Sequence, residues 1–208
     1  MRKIIFASTN PIKLEEAKQI IPEIQGIRVD MDEIQSPAPE VVVRNKLEQV
    51  VKLSWDDPVI VEDTGLEIDS WNSLPGALVK WFVDGMGAQE IAHITALKGE
   101  RRGADAVSSV GIAYKGEIKV WTDRIRGKIV APRGELGGWT PIFEVEGSGK
   151  TLAEMSLTER MSVTMRRRPL ENANAWLNQR PVASAGSCRP ATPGKPHGHQ
   201  PRLDGETQ

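Results

Sequence analysis

The sequence predicts an α/β protein, a mixed β-sheet flanked by helices, and three observations lead there. A short apolar run at residues 3–8 ends in Ser8, Thr9, Asn10 and Pro11 and passes directly into a helical pattern. A second amphipathic stretch, residues 39–53, precedes the apolar run Val59, Ile60, Val61. Two alternating segments, near 106–114 and 118–129, flank Lys115-Gly116 as an antiparallel hairpin would. Helices interspersed with strands, together with a hairpin, describe a sheet covered by helices.

Taken in order, residues 3–8 read as a strand, and the next segment reads as a helix with Asn10 as N-cap and Pro11 at its first position. Ile12, Ala17, Ile20 and Ile21 fall roughly on one face of it. A strand is expected at 28–31. In the second helix Val43, Leu47, Val50 and Val51 supply the buried stripe. Residues 59–61 form a strand that delivers Glu62 and Asp63 at its carboxyl end, and 66–70 reads as a further strand closed by Asn72, Pro75 and Gly76. Helices follow at 77–82 and 88–97, then the hairpin. A Gly-rich loop at 134–139 leads to a strand at 142–145, and one last helix spans 157–178. The expected folded unit is therefore 1–180. Residues 181–208 hold five of the fourteen prolines and no aromatic residue, too little apolar area to offset ordering, and are expected to form a disordered tail.

Composition excludes several functions. Lys and Arg number 27 against 28 Asp and Glu, so a net charge of -1 gives no general attraction to a nucleic acid or a membrane surface. The single cysteine, Cys188, cannot form an internal disulfide. With no apolar stretch of about 20 residues, and only four apolar residues in a row near the start, a cytoplasmic protein is expected. His93 is the one histidine outside the tail and reads as a packing residue in its helix, which disfavours a Ser-His-Asp site or a histidine-rich zinc site. Neither a P-loop nor a dinucleotide Gly motif occurs.

Three groups of residues remain for chemistry. Ser8, Thr9, Asn10 and Lys13 sit at a strand-to-helix junction, where backbone N–H groups, the helix dipole and an ammonium suit a phosphate; an ordinary capped helix with a solvated lysine is the alternative. Glu62 and Asp63 precede Thr64-Gly65, a glycine that lets the chain turn tightly. Paired carboxylates at a strand end suit Mg²⁺ on a phosphate substrate, and a solvated acidic turn is the alternative. Glu33 and Glu40 are further acidic candidates. Of Arg160, Arg166, Arg167 and Arg168, at least two are expected on a solvated face, leaving the others for phosphate or a base edge. Trp139 either stacks on a purine or anchors its loop.

Read together, IIFASTNPIKLEEAK, DEIQ, VIVEDTGLEIDSWNSLPGALVKWF, RGKIVAPRG, GGWTPIF and GKTLAEMSLTERMSVTMR resemble, over about residues 1–178, the inosine triphosphate pyrophosphatase family. The resemblance implies an elongated mixed sheet in two lobes around a central nucleotide cleft, in a homodimer. It also implies hydrolysis of ITP, dITP and XTP to a monophosphate and pyrophosphate with Mg²⁺. It assigns Asn10 and Lys13 to the phosphates with Glu16 close by, Glu33 and Asp63 to Mg²⁺ and water activation with Glu62 adjacent, Trp139 to the base, and Arg160 and Arg166 to the nucleotide side of the cleft. The sequence departs from the family pattern at Thr140, where Asp is usual, at Thr164-Met165-Arg166 in place of Ser-His-Arg, and at Arg160-Met161 in place of Lys-Asn. These changes motivate an alternative, a nucleotide-binding protein with weakened or lost catalysis. A third reading, an RNA or DNA binder using residues 166–168, is disfavoured by the charge balance.

Overall fold

In a computed structural model describing residues 3–180, seven strands form one mixed sheet in the order β2-β1-β3-β5-β6-β7, with β4 paired to β3. The sequence-expected tail at 181–208, Cys188 included, lies outside the described residues. β1 (Ile4–Phe6) is apolar and buried throughout, and it pairs in parallel with β2 (Ile24–Gly26) and with β3 (Val59–Ile68). All other pairings are antiparallel. The strand expected at 28–31 is absent; the pairing falls at β2 instead, because Ile24 rather than the residues after Gly26 is buried against β1.

Helix α1 (Pro11–Ile20) begins as expected: Asn10 Oδ1 accepts from the N–H groups of Ile12 and Lys13, and Pro11 stands at the first position. α2 (Pro39–Lys52) buries Val43, Leu47 and Val50 against one face of the sheet. The largest departure in this half is β3. Two strands separated by a turn at Gly65 are in fact one strand of ten residues, so Glu62 and Asp63 lie in mid-strand. Gly65 is needed for close approach rather than for turning, since a Cβ there would stand 2.8 Å from the Gly76 carbonyl carbon and 3.1 Å from Pro39 Cγ.

β4 (Leu74–Gly76), α3 (Val79–Met86) and α4 (Ala88–Ala96) follow. His93 is exposed on α4 while Ile91, Ala92 and Thr95 face inward, so the packing role expected of it is not observed. β5 (Gly103–Tyr114) and β6 (Glu117–Ile129) form the expected hairpin, and Lys115 and Gly116 both take positive φ, 51° and 78°, as a tight right-twisted hairpin turn requires. β7 (Phe143–Val145) closes the sheet.

The single helix expected at 157–178 is two. α5 (Leu157–Val163) starts with a Ser156–Glu159 capping box, the chain extends at Thr164 (ψ 135°), and α6 (Arg167–Asn178) restarts. Pro169 is the local signal: in a continuous helix it would delete an interior hydrogen bond, whereas in the first turn of α6 its missing N–H costs nothing.

Three apolar clusters divide the core. One packs Ile4, Phe6 and Ile60 against α1 and α6, and a second packs Ile5, Val59 and Val61 against α2 on the opposite face. The third gathers Leu66, Ile68, Ala104, Ala106 and Ile129 with α3, α4 and Trp139. The long strands thus run from one packed lobe into another, and the α/β fold with two lobes expected from the sequence is the observed one.

Candidate active site

One edge of β3 is continuous and the other is broken. Along one side it pairs with β5 from Val59 to Ile68. On the other, β1 covers it only as far as Ile60 and β4 only from Leu66 onward. Residues 61–65 therefore have no strand partner on that side, and the gap opens between the lobes. α1 lies at its rim because it starts just beyond the end of β1.

Two adjoining cavities, about 450 Å³ and 370 Å³, occupy this gap, and Asn10, Lys13, Glu33, Asp63 and Lys80 line both. The first is partly apolar, with Val79, Val83, Trp139 and Thr140 in its wall together with Arg166. The second is polar and carries Thr9, Arg28, Lys46 and Glu62. The sequence-expected convergence of Asp63 and Lys13 on one cavity is thus realised. A groove of about 750 Å³ between α1, α5 and α6 is larger but contains none of these residues.

The pleat sends Glu62 and Asp63 to opposite faces. Glu62 points toward α1 and α6, where Ser108 Oγ donates to Oε1 at 2.9 Å and Arg166 Nε donates to the same atom at 3.1 Å. The Lys13 ammonium stands 2.6 Å from Oε2, close enough for an ion pair, although its direction falls outside hydrogen-bonding angles. Burial by itself would raise the Glu62 pKa; Lys13 and Arg166 outweigh it and hold the carboxyl below its ordinary range. Arg166 also donates to Glu16 at 3.0 Å, and Glu16 further accepts from Arg160 and from Thr164 Oγ1. Arg160 continues the chain of charges to Glu15 and to the Met155 carbonyl.

Asp63 differs in every respect. Its carboxylate forms no hydrogen bond or ion pair with another described residue, and burial, with smaller contributions from Glu62 and Glu33, pushes its pKa up to about 6 despite Lys13 and Lys46. Glu33, across the cavity, is paired with Lys46. That pair depends on a loop pinned to α2 by reciprocal bonds between Gln49 and the Asp32 backbone.

Several assignments change with this geometry. Glu16 and Arg160 line neither cavity; both are buried in the charge network behind Lys13, so Arg160 does not reach the nucleotide side of the cleft. Glu40 pairs with Arg44 on an exposed turn of α2 and is likewise outside. The first free amides of α1 are spent on the Asn10 cap, so an anion there meets the Lys13 ammonium, the Asn10 amide nitrogen and the helix dipole rather than a row of open N–H groups. Trp139 is buried, edge-on to Phe143, and presents only part of its ring to the cavity; it is a loop anchor that also forms wall. Arg167 and Arg168 are exposed, which leaves Arg160 and Arg166 as the two inward arginines. Lys46 and Lys80 carry no signal in the sequence that marks them for the site. Lys46 sits in an ordinary helical stripe, and only the folded loop brings Glu33 to it.

The residues present suit a hard divalent cation that arrives on a phosphate. Asp63 is a carboxylate short of positive partners, and Glu33 opposes it across the same cavity. A pair of carboxylates on one cavity matches the donor set of a Mg²⁺ ion that keeps substrate oxygens as its other ligands.

Fold and site together define an α/β protein with a cationic, carboxylate-bearing cleft suited to a phosphorylated ligand with an apolar end. The chain belongs to the Ham1 family, whose model matches residues 4–176. It is similar to the inosine triphosphate pyrophosphatase of Fusarium vanettenii, with 36% identity covering 85% of this chain and 97% of that one. The dITP/XTP pyrophosphatase of Methanopyrus kandleri is also 36% identical, over 84% and 95% of the two chains. Among solved structures, the Staphylococcus aureus Ham1 protein matches with a TM-score of 0.70 at 27% identity, over 85% of this chain and 98% of that one. The family resemblance read from the motifs is therefore upheld. No helix among the described residues is long and apolar enough to cross a membrane.

Proposed function

We propose that the protein hydrolyses non-standard purine nucleoside triphosphates, ITP, dITP and XTP, to the monophosphate and pyrophosphate, removing them from the nucleotide pool. The observation that carries this reading is the shared cavity of Asp63 and Lys13 in a chain of this family. The base occupies the section walled by Val79, Val83, Trp139 and Thr140, and the phosphates occupy the polar section.

Glu33 and Asp63 would hold Mg²⁺, which when bound would supply charge neutralisation on the triphosphate. Asp63 accepts the proton of the water that attacks the α-phosphorus, and pyrophosphate leaves. Burial without a paired cation raises its proton affinity, which suits a general base, and a cation held beside it would lower that affinity again. Glu62 is unsuited to the same role, because its oxygens are engaged by Ser108, Arg166 and Lys13 and its proton affinity is lowered. It instead sets the position of Lys13, whose ammonium, with the Asn10 amide, faces the developing negative charge.

The departures that motivate a binding protein without turnover fall mostly away from the cleft. Met165 is buried in the core and Met161 lines the groove behind α1; Thr140 alone reaches the cavity. Its hydroxyl donates to the Gly137 carbonyl. A cytoplasmic location and a homodimer belong to the same reading. Exposed Trp81, on α3, supports an interface there, while Phe82 fills the core beside Trp71.

Incubating the purified protein with Mg²⁺ and ITP, dITP, XTP, ATP or GTP, and assaying pyrophosphate separately from orthophosphate, tests the reading. Pyrophosphate is expected from the first three; nucleotide binding without product would favour the binding-only alternative, and orthophosphate alone would point to another hydrolase.

A further inference from the structure

Four cations line the polar section of the cleft: Lys13, Arg28, Lys46 and Lys80. Three of them already face a carboxylate, Lys13 with Glu62, Lys46 with Glu33 and Lys80 with Asp84. Arg166, the cation of the neighbouring section, is held by Glu16 and Glu62. Arg28 alone among these has no hydrogen bond or ion pair with any described residue. Its backbone is nonetheless fixed: the N–H of Ile27 donates to the Phe6 carbonyl at 3.0 Å, so Arg28 leaves the sheet from a tethered position.

Position and chemistry then converge. Arg28 lines only the polar section, whereas Trp139 and Thr140 line only the other, so Arg28 stands at the end remote from the base. A terminal phosphate carries a charge of about −2 near neutral pH. To bind any of the lysines it must compete with a carboxylate already in place, and at Arg28 it meets no such competitor. The guanidinium fork also matches two phosphate oxygens at once, which an ammonium does not.

We propose that Arg28 receives the terminal phosphate of the substrate and therefore holds the pyrophosphate leaving group, an assignment that rests on the triphosphate reading above. It makes Arg28 the residue that separates triphosphates from diphosphates, acting on affinity rather than on the bond-breaking step.

Calorimetric binding of inorganic tripolyphosphate to the full chain tests this directly, comparing wild type, Arg28→Ala, Arg28→Lys and Lys98→Ala as a remote control. Arg28→Ala is expected to weaken binding about tenfold, as loss of one charge-assisted contact does. Arg28→Lys should recover part of that loss, and Lys98→Ala should match wild type. With nucleotides, Arg28→Ala should raise KM for the triphosphate at nearly constant kcat and narrow the preference over the diphosphate. Tripolyphosphate affinity of Arg28→Ala within twofold of wild type, or no binding by wild type, overturns the assignment. A wild-type protein that binds tripolyphosphate through Arg28 yet releases no pyrophosphate from any nucleotide would instead overturn the hydrolytic reading and leave Arg28 as a phosphate ligand.

Discussion

Two carboxylates one residue apart on β3 face opposite sides of the sheet and have opposite surroundings. Glu62 is locked among Ser108, Lys13 and Arg166, at the head of a buried network running through Glu16 to Arg160 and Glu15. Asp63 is desolvated without a partner and opens on the cleft. The comparison teaches that a strand can place a structural anion and a reactive one side by side, because the pleat, rather than sequence distance, decides which groups they meet.

The widest separation between the two faces should come from removing Asp63 on one side and an anion of the buried network on the other. Asp63→Asn is expected to lower turnover by about 10²-fold to 10⁴-fold, the usual worth of a positioned base, while leaving the fold intact. Steady-state kinetics beside a urea titration would show it, and an Asp63→Asn enzyme with wild-type kcat would end the base assignment. Glu16→Ala, at the centre of the buried network, should cost about 1.5–3 kcal/mol of stability, because Arg160 is left with Glu15 and Arg166 with Glu62 as the one remaining carboxylate of each, with the loss read from the urea midpoint.

Linkage should have opposite signs on the two faces. The Asp63 pKa is raised from 3.8 to about 6, so the folded state binds this proton more tightly than the unfolded chain does. Its contribution to stability becomes increasingly unfavourable between about pH 4 and pH 6 and is constant above, amounting to at most about 3 kcal/mol. Asp63→Asn should therefore be more stable than wild type above pH 6 and similar to it near pH 4. For Glu62 the folded pKa is lowered, so its contribution is present above the ordinary carboxyl range and fades as pH falls through the folded value. Thermal melts from pH 3 to pH 8 on variants of both residues would resolve the two trends. If Asp63 is the base, kcat/KM should rise with a midpoint near pH 6, and a divalent cation at the site should move that midpoint down. At the small end, Arg126, exposed and paired with Asp69 and Asp105, should lose less than about 1 kcal/mol on mutation to Ala.

Much of the frame was legible because it rests on local signals. Asn10-Pro11 announced the start of α1, the stripe of α2 showed its buried face, and Lys115-Gly116 marked the hairpin. The site was legible as residue types, through Lys13, Asp63 and the family motifs. What the sequence hid depends on distant contacts. Gly65 looked like a turn because its demand for space comes from Gly76 and Pro39, which no neighbouring residue reveals. Arg160 looked like a cleft residue because its partners, Glu15 and Glu16, lie some 145 positions away. The break at Thr164 followed from Pro169, a signal outweighed by the apolar periodicity on either side of it.

The interrupted edge of β3 has one more consequence. The Ile60 carbonyl accepts from the Ala7 N–H, and Lys13 Nζ reaches the Glu62 carbonyl at 3.5 Å. By the two-residue repeat of a strand, the peptide groups of Glu62 and Thr64 turn the same way, into the opening. Main-chain donors and acceptors of this kind belong to no side chain, and no point substitution except one to proline can delete them. Evolution can therefore redecorate the walls, as at Thr140, while the part of the cradle made of peptide bonds is inherited with the strand's path itself.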